Sequence, residues 1–541
     1  MHALIVDCLA REKGQRKSSL DVVGVGPRAV AGVVETLGEE ASIMVFEKLA
    51  RNPWVVSQYD VLMVSAMSSD YVCALRTLKY WRRYGSGAAI IGGPIGEEYR
   101  RLLAKGFDLV VVGEGEKPVE YLINKALDGN EVVFNELEGI AGFAYRLRDR
   151  VVFNGRSPWH TRKMLDSFYH STERIIDYPM YWGMRVYVEV VRGCSNFYRP
   201  RIRLANGVKC IDCDLCRTGR LSQRVYCPLN IPPGCGYCSV PGLYGPPRSK
   251  SIERIHREVR ELVDKGVTRI VLSAPDFLDY GRDWLVEPEP LTDPRSPPPN
   301  IDAIRRLFER LWSIPEIGDG SVAVMVENIK ANLVSEEVVE LLAEYLHGTP
   351  VHIGCETGSR RHAELLGRPV YPEECVRATR ILAEHGIRPY LYFIHGLPGQ
   401  TMETAQETAR VMEGVFRAGA EKVTVYRFRP LPGTAFEGFP PGKPGVKDPA
   451  SRIIYEKGVE LNRRYKERLV GEVLKAIVVG QRNSDGIAYP FYHGPVIIVK
   501  NASRYHGFLV EVEITSVLSE RLVGGKIKRI LRRVKPPSSL G

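Results

Sequence analysis

The sequence predicts an α/β protein of three modules: a doubly wound N-terminal α/β domain, a (β/α)6 partial barrel, and a small all-β barrel at the C-terminus. Three observations carry this. Short apolar runs alternate with amphipathic segments in two successive stretches, the pattern of parallel strands buried on both faces and joined by helices. Beyond residue 470 the helical spacing gives way to short strands broken by Gly, Asn and Asp turns. The length of 541 residues, 44% hydrophobic, fits about three or four domains and excludes a largely disordered chain.

The first module spans 1–125. Its predicted strands are 3–6, 42–46, 61–64, 88–91 and 109–112. Turn signals follow them, at Gly92-Gly93-Pro94 and Gly113-Glu114-Gly115-Glu116. Ligands of such sheets bind at those strand ends. Residues 126–185 are polar and irregular and read as a connector.

The second module spans 186–435. Six strands are predicted at 186–191, 269–272, 322–326, 351–354, 388–394 and 422–428, with helices at 252–265, 301–312, 335–346, 372–385 and 402–418. Ser335 followed by Glu336 and Glu337 is a helix start. In a barrel of βα units the chemistry sits at the C-terminal strand ends. A Cys-rich insertion at 195–234 and a Pro-rich loop at 287–299, predicted as a surface excursion, interrupt the pattern.

A linker and helix at 436–467 lead to the third module, 468–528, and a basic tail, 529–541. The net charge of +11 is unevenly placed: residues 466–541 carry +7 and residues 195–234 carry +5. A near-neutral body with two basic attachments points to a polyanion partner, most simply nucleic acid. No uninterrupted apolar run reaches the ~18 residues of a membrane span. The N-terminus lacks the look of a secretory signal, so a cytoplasmic protein without membrane contact is expected.

Seven of the eleven cysteines fall within 45 residues: Cys194, Cys210, Cys213, Cys216, Cys227, Cys235 and Cys238. In a cytosolic chain such density points to metal ligation rather than disulfides, and thiolates suit iron–sulfur clusters and zinc. Cys194 directly follows the first predicted barrel strand, and Cys235-Gly236-Tyr237-Cys238 closes the insertion. Cys227 with Cys235 and Cys238 is the alternative triad. Preferring Cys194, for its place at a strand end, leaves Cys210-x2-Cys213-x2-Cys216-x10-Cys227 as a complete four-thiolate set. That set can hold a second 4Fe–4S cluster, for which the CxxCxxC run with Pro228 after the last Cys speaks, or zinc.

Arg192-Gly193-Cys194, Cys235-Gly236-Tyr237-Cys238, Ile353-Gly354-Cys355-Glu356-Thr357-Gly358 and His395-Gly396-Leu397-Pro398-Gly399 together resemble the radical S-adenosylmethionine (SAM) superfamily over about 186–435. The resemblance implies a partial TIM-type barrel in which three Cys hold a 4Fe–4S cluster whose open iron binds SAM. It also implies reductive SAM cleavage to a radical that abstracts hydrogen, and an electron donor such as ferredoxin or flavodoxin. It places Tyr237 beside the adenine, Glu356 and Arg360 toward the ribose or carboxylate, Gly396 and Pro398 toward the adenine, and Asp276 as a weaker candidate for SAM binding. The departure is the spacing, with 41 positions from Cys194 to Cys235 where the superfamily usually has three residues between its first two Cys.

The first module resembles the cobalamin-binding domain preceding many radical SAM barrels. Where such domains often carry Asp-x-His-x-x-Gly, this chain has Asp7-Cys8-Leu9-Ala10-Arg11-Glu12, so a histidine ligand to cobalt is not expected; binding without one stays open. The methylthiotransferase variant expects three N-terminal Cys, and only Cys8 and Cys73 are present. The third module resembles a TRAM domain, completing a methylthiotransferase-like architecture. Its aromatic and basic residues, among them Arg482, Tyr492, His493, Lys500, Arg504, Lys528 and Arg529, suit RNA, with aromatics stacking bases and cations meeting phosphates. Together these resemblances imply an enzyme modifying RNA, tRNA first, by methylation, methylthiolation or related C–H functionalisation. The alternatives are a radical SAM enzyme acting on a protein or small metabolite, and a non-catalytic zinc-containing RNA-binding protein.

Overall fold

The computed structural model describes residues 1–12, 21–519 and 521–536; the last five residues of the predicted tail lie outside them. The chain divides into two compact units, one of residues 1–187 and 253–265, the other of 188–252 and 266–541.

In the first unit, β1 (His2–Asp7), β2 (Glu40–Val45), β3 (Val61–Ser65), β4 (Ala89–Gly92) and β5 (Leu109–Val111) form a parallel sheet in the order β2-β1-β3-β4-β5. This is the flavodoxin-like order, with its switch point between β1 and β3. Buried aliphatics such as Leu4, Val6, Leu62, Val64 and Ile91 build the core. The stretch read as an irregular connector adds β6 (Phe143–Leu147) and β7 (Arg150–Phe153), antiparallel, at the β5 edge. Sequence alternation there is weak because β7 is only half-buried.

In the second unit, the end of β8 (Arg185–Glu189), β9 (Arg269–Ser273), β10 (Ala323–Val326), β11 (Pro350–Glu356), β12 (Arg388–His395) and β13 (Lys422–Arg427) follow one another as predicted. Val190 N–H donates to Ser273 O. The pairs β9–β10, β11–β12 and β12–β13 are parallel, and Asn328–Ile329 joins β10 to β11. The helices fall where their periodicity places them, and Ser335 caps its helix by accepting from Val338 N–H at 3.3 Å. The Pro-rich loop is no surface excursion: Leu291 and Thr292 are buried. Glu289, Thr292 and Asp293 bond Ser222 N–H, Leu221 O and the Arg224 guanidinium. The loop braces the Cys-rich insertion.

The C-terminal module is a closed five-stranded barrel, β14 (Val473–Arg482), β15 (Asp485–Pro490), β16 (Val496–Val499), β17 (Phe508–Val517) and β18 (Leu522–Arg533). Alternating aliphatics, among them Ala476, Val478, Val510, Val512 and Ile514, fill it. It docks on the N-terminal ends of the α/β barrel strands. Arg269 Nε donates to Phe491 O at 2.8 Å and Arg388 Nη1 to His493 O at 3.2 Å. The His493 ring lies 5.5 Å from Tyr390 and 6.0 Å from His352.

Candidate active site

Cys194 sits just past Val191–Arg192, where the backbone turns sharply. Gly193 has φ +95°, and a Cβ there would fall 2.2 Å from Pro246 O, so only glycine lets the chain pass. Cys235 and Cys238 return from the insertion, with Cys238 N–H donating to Cys235 O. A Cβ on Gly236 would fall 2.4 Å from the Phe436 ring. The three thiols share one electrostatic neighbourhood: Cys235 and Cys238 interact with each other, and each with Cys194. Asn196 ties two of them together, its N–H donating to Cys194 Sγ at 3.5 Å and its Nδ2 to Cys235 Sγ at 3.3 Å.

Burial pushes the Cys194 thiol up to about 11 and the Cys238 thiol up to about 12. Thiols held protonated, as burial holds those of Cys194 and Cys238, are poor nucleophiles, and a metal centre supplies the charge that deprotonates them. The donor set therefore fits a 4Fe–4S cluster. Among the described residues, no three His, Cys, Asp or Glu side chains converge at single-ion spacing. A cubane places each Cys on a different iron and so keeps its thiolates further apart. Cys227 is not in this group; with Cys210, Cys213 and Cys216 it lines a separate pocket.

The candidate SAM-contacting residues divide. Tyr237 is embedded, its hydroxyl accepting from Arg368 Nη1 at 2.9 Å. Glu356 occupies left-handed backbone, φ +68°, at a register shift of β11. Burial pushes its carboxyl up, opposed by Arg368 at 3.7 Å. Arg360 points away: its side chain is 59% exposed, pairs with Glu364 and Glu373, and lies over Tyr371. The arginine in the site is Arg368, 10% exposed, bonded to Gly354 O and within 3.9 Å of Cys235 Sγ. Gly396 has φ +74°, but the space beside it is filled by Gly442 of the chain itself. Pro398 O accepts from His362 Nε2 at 2.9 Å, which places His362 nitrogen as donor.

Asp276 is fully buried and joins a network the sequence did not reveal. Lys330 Nζ lies 2.9 Å from Asp276, 2.8 Å from Asp279 and 2.8 Å from Ser195 Oγ; Arg282 pairs with Asp279. Burial alone would lower the Lys330 ammonium, but Asp276 and Asp279 outweigh it and raise it, with Cys194 adding to the pull. A cation is thus fixed behind the first thiol. Arg368 and Lys330 stand in no motif, and only their positions after β11 and β10 could have raised them as candidates.

The basic residues separate too. Arg482, Lys500 and Arg504 are exposed around the β14–β15 turn, where Ser503 N–H bonds Ser484 O and Asn501 N–H bonds Asp485. Tyr492 and His493 lie past the other end of β15, where the module docks. Lys528 pairs with Glu513 at 2.8 Å and Arg529 with Glu511 at 3.0 Å. In the insertion, Arg201 pairs with Asp212 and Asp214, Arg217 lies over Tyr198, and Arg224 is buried against Asp293. Most of that segment's charge is engaged internally.

At β1's end in the first unit, Leu9 takes the place where cobalamin-binding domains often have histidine, and the residue before it is Cys8. Cys8 is buried with its sulfur 2.9 Å from Cys73 Sγ. Among the described residues no helix is long and apolar enough to cross a membrane.

The sequence profile of the radical SAM superfamily matches residues 225–412. The chain is 41% identical to uncharacterized protein MK0932 of Methanopyrus kandleri, over 98% of this chain and 97% of that protein. It is 27% identical to the ribosomal protein uS12 methylthiotransferase RimO of a Roseiflexus species, over 58% of this chain and 66% of that one. The structure is similar to the radical SAM methyltransferase TsrM of Kitasatospora setae, solved with cobalamin and a 4Fe–4S cluster. That similarity has TM-score 0.57 and 14% identity and covers 81% of this chain and 77% of that one.

Proposed function

Because the chain belongs to the radical SAM superfamily, we propose that it is a transferase that modifies RNA, tRNA first, by methylation, methylthiolation or a related C–H functionalisation. The observation that carries the chemistry is the gathering of Cys194, Cys235 and Cys238 at the C-terminal end of the α/β barrel. Three thiolates leave one iron of a 4Fe–4S cluster open, and with SAM bound the cluster supplies the one-electron reductive cleavage that yields a carbon radical. The protein's part is to hold and shape. Asn196 orients two sulfurs, Arg368 fixes Tyr237, and the Lys330 network sets a positive charge behind Cys194. An external ferredoxin or flavodoxin supplies the electron.

RNA as substrate rests on the exposed Arg482, Lys500 and Arg504 of the C-terminal barrel, read as a TRAM-like domain. Nucleoside mass spectrometry of tRNA from a deletion strain tests it: one modified nucleoside disappears, whereas an unchanged profile removes tRNA as substrate. A protein substrate is the second reading. It is favoured by the docking of the C-terminal barrel on the end of the α/β barrel away from the thiols, and by relatives named as methylthiotransferases of a ribosomal protein. Cobalamin, carried by the structural neighbour, would have to bind the first unit without a histidine ligand.

A further inference from the structure

We infer that the insertion between Cys194 and Cys235 holds a second iron–sulfur cluster, closed by four protein thiolates and unable to bind SAM. Cys210, Cys213, Cys216 and Cys227 line one pocket, with Arg199, Arg201, Asp214, Leu215, Arg217, Tyr226 and Pro228 around them. None of the four belongs to the Cys194 group.

The walls of this pocket suit an anion. The Arg199 guanidinium is buried within electrostatic reach of all four cysteines. Its nitrogens are engaged by backbone carbonyls of Phe197, Arg224, Val225 and Ile231. It therefore cannot swing out to solvent, and it clamps both arms of the insertion. A buried arginine with no carboxylate among those partners needs an anionic neighbour. Four thiolates around a cluster supply one, because a 4Fe–4S cubane with four Cys carries net negative charge.

Iron–sulfur rather than zinc follows from the ligand spacing. The CxxCxxC run and the Pro228 after the fourth Cys are features of iron–sulfur ligand sequences, with ten residues in place of three before that Cys, whereas structural zinc more often uses separated pairs. The backing is firm on both sides. Cys210 and Cys227 rest on a cluster of Leu204, Ile231, Leu366, Leu397, Phe428 and Phe436, and the loop of Glu289 to Asp293 braces the far side of the insertion.

The test is metal and acid-labile sulfide content of the full chain purified anaerobically, alongside two variants. In Cys213→Ala/Cys216→Ala, about four irons and four sulfides are lost relative to the unmutated chain. In Cys194→Ala/Cys235→Ala/Cys238→Ala, about four irons and four sulfides remain, and their EPR signal after reduction is unchanged by adding SAM. The second variant guards against the first failing to fold. Loss of one zinc instead of iron in the first variant overturns the inference, and so does the absence of iron and sulfide from the folded second variant. A SAM-induced change in the remaining EPR signal also overturns it.

Discussion

At the scale of single residues, Arg368 takes the place in the site that the sequence motif suggests for Arg360, eight positions earlier. Arg360 follows the Gly-Cys-Glu-Thr-Gly stretch closely, yet the helix Arg360–Leu365 turns it outward to Glu364 and Glu373. Arg368, past the helix end, turns in to Tyr237 and Gly354. No local pattern distinguishes them, because the choice depends on where a six-residue helix ends. Arg360→Ala leaves SAM affinity unchanged and alters stability by at most about 1 kcal/mol, as exposed ion pairs do. Arg368→Leu weakens SAM binding about tenfold, the worth of one charged hydrogen bond of about 1.5 kcal/mol. Equilibrium dialysis with labelled SAM reads both. Lys330 is the other buried charge that no motif announces. Lys330→Met strands Asp276 and Asp279 without their shared cation and lowers unfolding free energy by about 3–5 kcal/mol, measured by urea denaturation of the apoprotein.

At the scale of elements, strands and helices with strong periodicity were legible in the sequence. The six barrel strands and the capped helix after Ser335 lie within a residue or two of their predicted limits. The Cys-rich motifs were legible as well, because ligand spacing is local. What could not be read was which end of an element meets what. The strand β15 carries an exposed turn beside Arg482 at one end and the docked residues Phe491 and His493 beyond the other, and alternation is the same at both. A consequence follows for the C-terminal barrel as an element of stability. Truncation after Leu469 uncovers Arg269, Tyr390 and their neighbours, all buried. The truncated chain should bind a hydrophobic dye and lose its cooperative thermal transition. A truncated chain with an unchanged transition would show that the docking contributes nothing.

At the scale of the whole molecule, the charge imbalance narrows. Of the two basic attachments, the insertion engages most of its cations internally, while the C-terminal barrel leaves Arg482, Lys500 and Arg504 open. Reversing these three to Glu should weaken tRNA binding and reduce the slope of log affinity against log salt by about 3, read by titration from low to moderate salt. An unchanged slope would move the contact elsewhere. The fold class and the chemistry were accessible from sequence because both rest on local patterns. The sharing of cysteines between two sites was less legible: the place of Cys194 at a strand end favours it over Cys227 as the partner of Cys235, but ligand spacing alone allows both. The most direct measurement is therefore 5′-deoxyadenosine formation from SAM by the anaerobically reconstituted chain under strong reductant. The unmutated protein should form it, and Cys194→Ala, Cys235→Ala and Cys238→Ala should each abolish it; formation of 5′-deoxyadenosine by Cys194→Ala would contradict the assignment of the site.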